Sequence, residues 1–546
     1  MNAALVTSLR SLALVAGVVR ALHADPYPRQ PIDVQHYRFA ITLSDSTDRI
    51  DGEATIRLTI TKPDIAQVWL DLASMTPARQ GRGMRVSAIS RDGHALVFRH
   101  DADRLTITLD RPVQTGSSIE LVVQYAGIPA DGLQIKPNPH GDRAFFSDNW
   151  PDKGHHWLPL IDHIADKATM EMSVTAPSHY QVISNGVRVE TTDDPGGRRR
   201  TVWRESVPIA PWLYALGVAH FAVQHVGEYA GIPIETWVFT QQREAGFHDF
   251  AVPTKDALAF YSEWVGPFSY EKLTNVQSNS VSGGMEAASA IFYSAGSVAG
   301  NRPVRWRNVV IHEIAHQWFG DAVTESDWNE VWLSEGFATY FTLLFIEHAY
   351  GRDEFVTGLR DSRKAVIDFD TKTPDYHVVH ENLTDMANVT TRMTYEKGSW
   401  TLHMLRSEIG DDRFWAGIRD YYARHRDGNV TTADFRAAME QVSGRDLGAF
   451  FQQWLYRGGV PKLTGTWTWD AAAKQIVVEL HQTQMGEPFR VPIEIGITVP
   501  GSRVRVERVE LAARDGRYTF AAGVAPATVE LDPGVKLLFD GRIERR

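Results

Sequence analysis

His312-Glu313-Ile314-Ala315-His316 sets two histidines four residues apart with a glutamate beside the first, and eighteen residues separate His316 from Glu335. Four-residue spacing on a helix puts both imidazoles on one face, within reach of a single cation. Glu335, in Leu333-Ser334-Glu335-Gly336-Phe337-Ala338, adds a third ligand from a second helix that turns back antiparallel to the first. Two imidazoles, a carboxylate and an open position form the donor set of a catalytic zinc site, one Zn2+ per chain, although such donors also accept cobalt or manganese. Glu313 leaves the helix at a different angle from the histidines, which suits it to the general base. The chemistry implied is peptide or amide hydrolysis through a tetrahedral intermediate, whose oxyanion needs a second donor from elsewhere in the chain. Two satisfied histidines on a helix with an unrelated Glu335 form the bland alternative, and the helix signals around the motif weigh against it.

Those signals define the elements that must hold the site. Asn301 is expected to cap the metal helix, Pro303 to open it and Gly320-Asp321 to stop it. Ser334 and Glu335 stand near the start of the next helix, which runs to about Tyr350 with Gly351 as its C-cap. Helical spacing is also visible from Phe247 to Trp264. Upstream the period is two: Tyr37, Phe39, Ile41, Leu43; Ile56, Leu58, Ile60; Leu105, Ile107, Leu109; Ile119, Leu121, Val123. Alternation returns after Gly458-Gly459-Val460-Pro461, in Ile476, Val478, Leu480 and in Val491, Ile493, Ile495, Ile497, Val499. The fold class expected is α+β multidomain: an N-terminal antiparallel β domain (25–226), a mainly helical catalytic domain (227–459) and a C-terminal β sandwich (460–546).

At 546 residues the chain has room for several domains, and a formal charge of −11 with pI near 6.0 argues against nucleic-acid binding. The absence of cysteine excludes disulfides and thiolate metal sites. Arg10, the apolar run Leu12–Val19 and Leu22-His23-Ala24 predict a signal peptide over 1–24 and export to a periplasm or the exterior. Arg20 and the bulky Leu22 keep a cytoplasmic location as the alternative. No other segment is apolar for the length of a bilayer span, so no integral span is expected in the mature chain. His155, His156 and His163 read as structural residues of a loop, and Arg198-Arg199-Arg200, after a Pro-Gly-Gly turn, as a solvated loop tip.

Several blocks together resemble the gluzincin aminopeptidases, the family of aminopeptidase N and the leukotriene hydrolase. They are Val310–Asp321, Trp328–Ala338, Gly283-Gly284-Met285-Glu286, Tyr395-Glu396-Lys397-Gly398, Gln453-Trp454-Leu455-Tyr456 and Asp33-Val34-Gln35-His36-Tyr37. The resemblance implies a thermolysin-like catalytic domain, zinc, and peptide substrates with a free N-terminus. It makes Tyr395 the phenol that donates to the oxyanion and Glu286 the carboxylate that grips the α-amine, while Gly283, Gly284 and Met285 form the loop that approaches the peptide. The sequence departs from the family pattern at Ala287, where asparagine is usual, and at Trp150, where an acid or amide is usual; Asp148 is the substitute expected there. Larger members carry a further helical domain over the site, so an open site is expected here. A zinc endopeptidase, another amide or epoxide hydrolase, and a catalytically silent binding protein are the rival readings, and the oligomeric state is unassigned.

Overall fold

The computed structural model describes residues 30–380, 383, 386 and 389–546; the expected signal at 1–24 lies outside the described residues. Strand β1 (Ile32–Thr42) buries Ile32 and Val34 and then, in the opposite phase, Tyr37, Phe39 and Ile41. A bulge between Val34 and His36, against β2 (Ile50–Ile60), accounts for the change of phase. One extra residue returns both apolar sets to the same face, which strict alternation could not do. These strands lie at the centre of an eight-stranded sheet.

Most of that sheet is antiparallel, but β1 pairs in parallel with Ala168–Pro177, with His36 opposite Thr169. The antiparallel expectation is corrected at this pair. Alternation marks which face of a strand is buried and not the direction of its neighbour, and the long segment between the two strands supplies the crossover that parallel pairing needs. Arg198–Arg200 are corrected as well. They are half-buried residues that begin the strand Arg198–Ile209, after Gly196 and Gly197 turn the hairpin at φ 81 and 73°. Arg199 pairs with Asp193 at 2.7 Å and Arg200 with Glu190 at 2.6 Å across the hairpin.

The middle of the chain carries a five-stranded sheet as well as helices, in the order Phe221–Tyr229, Ile232–Phe239, Leu273–Ser278, Ala290–Ser294, Gly284–Met285. Residue 227 lies inside the first of these strands, at a bulge where Gly227 has φ 136°. Gly284–Met285 is a short antiparallel edge strand. Trp237, Phe239, Val276, Met285 and Phe292 of this sheet share one apolar core with the N-terminal strands, which locks the edge strand against that region.

Helix α1 (Arg243–Trp264) and helix α3 (Trp332–Tyr350) flank α2 (Val304–His316), which carries the histidines. Val310, Ile311, Ile314 and Ala315 form the buried stripe of α2. Its N-cap is Pro303 and not Asn301, and no side chain caps it. Asn301 lies two residues before that cap, while the first helical bond runs from Arg307 N to Pro303 O at 2.9 Å. Helix α3 is buried on nearly all sides, as its apolar composition requires, and ends at Gly351 with φ 95°. At the C-terminus, sheets of four and three strands face each other, with Ile476, Val478, Leu480, Val491, Ile493, Ile495 and Ile497 buried in the core shared with the helices. Among the described residues, no helix is long and apolar enough to cross a membrane.

Candidate active site

His312 and His316, one helical turn apart on α2, point their Nε2 atoms at each other's neighbourhood, 3.1 Å apart. Glu335, in the first turn of α3, completes the group: its Oε2 lies 3.3 Å from His312 Nε2 and 3.2 Å from His316 Nε2. The triangle is nearly equilateral. Bonds of about 2.0–2.2 Å from a tetrahedral cation place its ligands about 3.3 Å from one another. Glu335 Oε2 is also buried without a hydrogen-bond donor, the condition of an oxygen whose partner is a cation. The three residues therefore fit a metal of zinc's size and taste. Glu286, Glu313 and His316 form an overlapping group that could also attract a cation.

Supporting contacts orient the imidazoles. His316 Nδ1 lies 3.1 Å from Phe319 O and 2.9 Å from Ser334 Oγ, so a proton on Nδ1 leaves the Nε2 lone pair directed at the group. Gly320, at φ 118°, makes that contact possible, since a Cβ there would lie 2.2 Å from Ser334 Oγ and 3.1 Å from His316 Nδ1. Tyr395 sits on a single π turn, Met393–Lys397, and its Oη donates to Glu335 Oε1 at 2.6 Å. Two glycines bring that turn onto α3: a Cβ on Gly336 would meet Gly398 Cα at 3.0 Å. Lys397 anchors the end of the turn, donating to Arg457 O at 3.1 Å and Gly459 O at 3.0 Å.

Burial, reinforced by the charge of Glu335, holds the Tyr395 phenol well above its ordinary pKa, so it is a neutral donor at neutral pH. Burial also raises the Glu313 and Glu286 carboxyls, and their mutual proximity adds to the rise at Glu313. Burial alone would raise Glu335 too, but the two imidazoles pull it below the usual carboxylate range.

Asp148, Gly283, Gly284, Met285, Glu286, Glu335 and Tyr395 line one cleft of about 370 Å3, which Trp150 also borders and which reaches the surface at the exposed Ser282. Glu286 is buried, with Oε1 3.8 Å from His316 Nδ1. Gly284 makes room for the Glu313 carboxylate, because a Cβ there would sit 2.1 Å from Glu313 Oε1; a Cβ on Gly283 would meet nothing within 4 Å. Of the two departures, Trp150 packs its ring edge-on against Trp328, and Ala287 is buried in the N-terminal core and away from the cleft lining. His155 is bonded to Asp162 at 2.7 Å and packs at a 30° tilt against His156, and none of His155, His156 and His163 belongs to a group able to hold a metal among the described residues.

Family models describe two stretches of the chain: the Peptidase M1 N-terminal domain matches residues 33–213 and the Peptidase family M1 domain residues 252–454. The chain belongs to peptidase family M1. Aminopeptidase N of Streptomyces lividans is 30% identical over 407 residues, covering 68% of this chain and 46% of that protein. Glutamyl aminopeptidase of Homo sapiens is 27% identical over 370 residues, covering 64% and 38%. The chain thus spans between a third and a half of the length of these M1 relatives. An M1 zinc metallopeptidase from Deinococcus radiodurans superposes with TM-score 0.67 at 26% identity, over 78% of this chain and 93% of that one. Legionella pneumophila aminopeptidase A, solved with aspartic acid, shares the fold at TM-score 0.78 and 19% identity, over 94% and 60%.

Local spacing does not reveal Gln317, Ser334, Gly320 or the Gly336–Gly398 contact. Each lies inside a motif the sequence displays, but its partner is a backbone atom or a residue far along the chain.

Proposed function

We propose that this M1 chain is a zinc-dependent aminopeptidase that removes the first residue from peptides with a free N-terminus. The observation that carries the reading is the buried Glu286 carboxylate, which lines one cleft with Glu335 and Tyr395 and lies 3.8 Å from His316 Nδ1. A carboxylate beside the reacting centre, shielded from water, pairs with an ammonium and favours a peptide whose N-terminus is free.

His312, His316 and Glu335 would hold the zinc, which when bound supplies Lewis-acid polarisation of the scissile carbonyl and a lowered pKa for water. Glu313 takes the proton from the attacking water and passes it to the leaving amine. Tyr395 turns its hydroxyl from Glu335 to the developing oxyanion, donating without adding charge. Glu286 fixes the α-amine, with Asp148 across the cleft adding negative charge, and the edge strand Gly284–Met285 offers its backbone alongside the peptide.

The test compares one fluorogenic aminoacyl peptide with its N-acetylated form, each with and without a chelator. Release from the free form alone, abolished by chelation and restored by zinc, supports the reading. Equal cleavage of both forms makes the chain an endopeptidase or another amide hydrolase. Purified protein that binds zinc and cleaves neither is the silent binding protein.

A further inference from the structure

We propose that Gln317 is the positioning residue of the amine anchor: it ties the main chain of Glu286 to the end of the metal helix. This rests on the role given to Glu286 above. Gln317 follows His316 as the C-cap of α2 and is fully buried. Its Oε1 accepts from Ser289 N at 2.8 Å, and its Nε2 donates to Glu286 O at 2.8 Å and to Asp321 Oδ2 at 2.7 Å. The amide has only one satisfactory orientation, because a backbone N–H can only donate and a backbone carbonyl can only accept.

One side chain therefore grips both ends of the turn from Glu286 to Ser289, which returns the edge strand Gly284–Met285 to Ala290–Ser294. From the other side the N-terminal β region holds the same turn. Asn185 Nδ2 donates to Ala288 O at 2.7 Å, Gly186 N donates to Ser289 Oγ at 2.7 Å, and Ser289 Oγ donates to Glu205 Oε2 at 3.2 Å. Ser289 has φ 63°, a conformation a side-chain-bearing residue keeps only where its surroundings over-determine it. The N-terminal region sets where the turn lies, and Gln317 sets its distance from the histidines. The spacing between amine anchor and metal group is thus fixed through an amide that touches neither substrate nor metal.

The experiment uses two inhibitors with the same zinc-binding group, one bearing an α-amine and one lacking it, against wild type, Gln317→Met, Gln317→Glu and Glu286→Gln. Gln317→Met keeps the volume and removes all three bonds; Gln317→Glu keeps the acceptor for Ser289 N and loses the donors. Both Gln317 variants are expected to keep zinc and the affinity for the amine-free inhibitor while the preference for the amine-bearing one falls about tenfold or more. Equal weakening of both inhibitors, or an unchanged preference in a folded variant, overturns the proposal. Gln317→Glu serves as the readout should Gln317→Met fail to fold. Glu286→Gln separates the two layers: if it keeps the wild-type preference, the amine-anchor role itself fails; if it loses the preference while the Gln317 variants keep theirs, only the positioning role fails.

Discussion

Gly283 and Gly284 are adjacent, neither has a positive φ, and alanine at the two positions should behave oppositely. At Gly283 a new methyl meets nothing within 4 Å. At Gly284 it would stand 2.1 Å from Glu313 Oε1, 2.2 Å from Cδ and 2.4 Å from Cγ. Ordinary van der Waals contact begins near 3.4 Å, so the carboxylate or the edge strand must retreat by more than about 1 Å. Glu313 is buried at the end of a well-packed helix, and the strand is held by Met285 in the core shared with the N-terminal region, so neither yields freely. Overpacking of this kind costs about 1–3 kcal/mol of stability. A displacement of about 1 Å at a proton-transferring group costs about a hundredfold in turnover. Steady-state kinetics on an aminoacyl fluorogenic substrate, with zinc content and thermal unfolding measured on the same samples, decide the matter. Gly284→Ala should keep its zinc, because the clash touches none of His312, His316 and Glu335, and should lose most of its kcat toward the level of Glu313→Gln. Gly283→Ala should match wild type. Full activity in Gly284→Ala would refute either the base role of Glu313 or the fixed placement of its carboxylate against the edge strand.

Tyr395→Phe removes the bond to Glu335 and the proposed oxyanion donor together; kcat should fall by about 10²–10³ with zinc content unchanged, and a metal-depleted variant would show that the hydroxyl serves the ligand instead. Gly320→Ala forces a side chain into φ 118° and against both Ser334 Oγ and His316 Nδ1, so competition with a chelator should show zinc affinity about 10–100-fold weaker. Burial by itself lowers the pKa of His155, but the hydrogen bond and charge of Asp162 outweigh it and raise the value from 6.5 to about 9. The folded state then favours the imidazolium, a contribution fully present below pH 6.5 and lost as pH rises through about 9. Denaturant unfolding on either side of that window should show the stability difference between wild type and His155→Gln shrinking at high pH, by at most about 3 kcal/mol; a pH-independent difference would contradict the assignment.

Helical periodicity alone determines that His312 and His316 share a face, and the cap at Gly351 and the apolar run after Trp332 determine that Glu335 opens a buried helix. These are properties of neighbours along the chain, whose separation the helix sets before any tertiary contact forms. The alternation of the outer β regions is of the same kind, and it identifies their buried faces. What only the tertiary structure decided involves partners remote in sequence. The parallel pairing of β1 with Ala168–Pro177 leaves no mark in either strand's pattern. The bond from Tyr395 to Glu335 depends on two backbones meeting where Gly336 and Gly398 lack side chains, and the grip of Gln317 on Glu286 and Ser289 depends on a turn braced by Asn185 and Gly186. Such distances are set by how elements pack, and a change of one methyl group at Gly284 or Gly336 alters them without disturbing the period of any helix or strand.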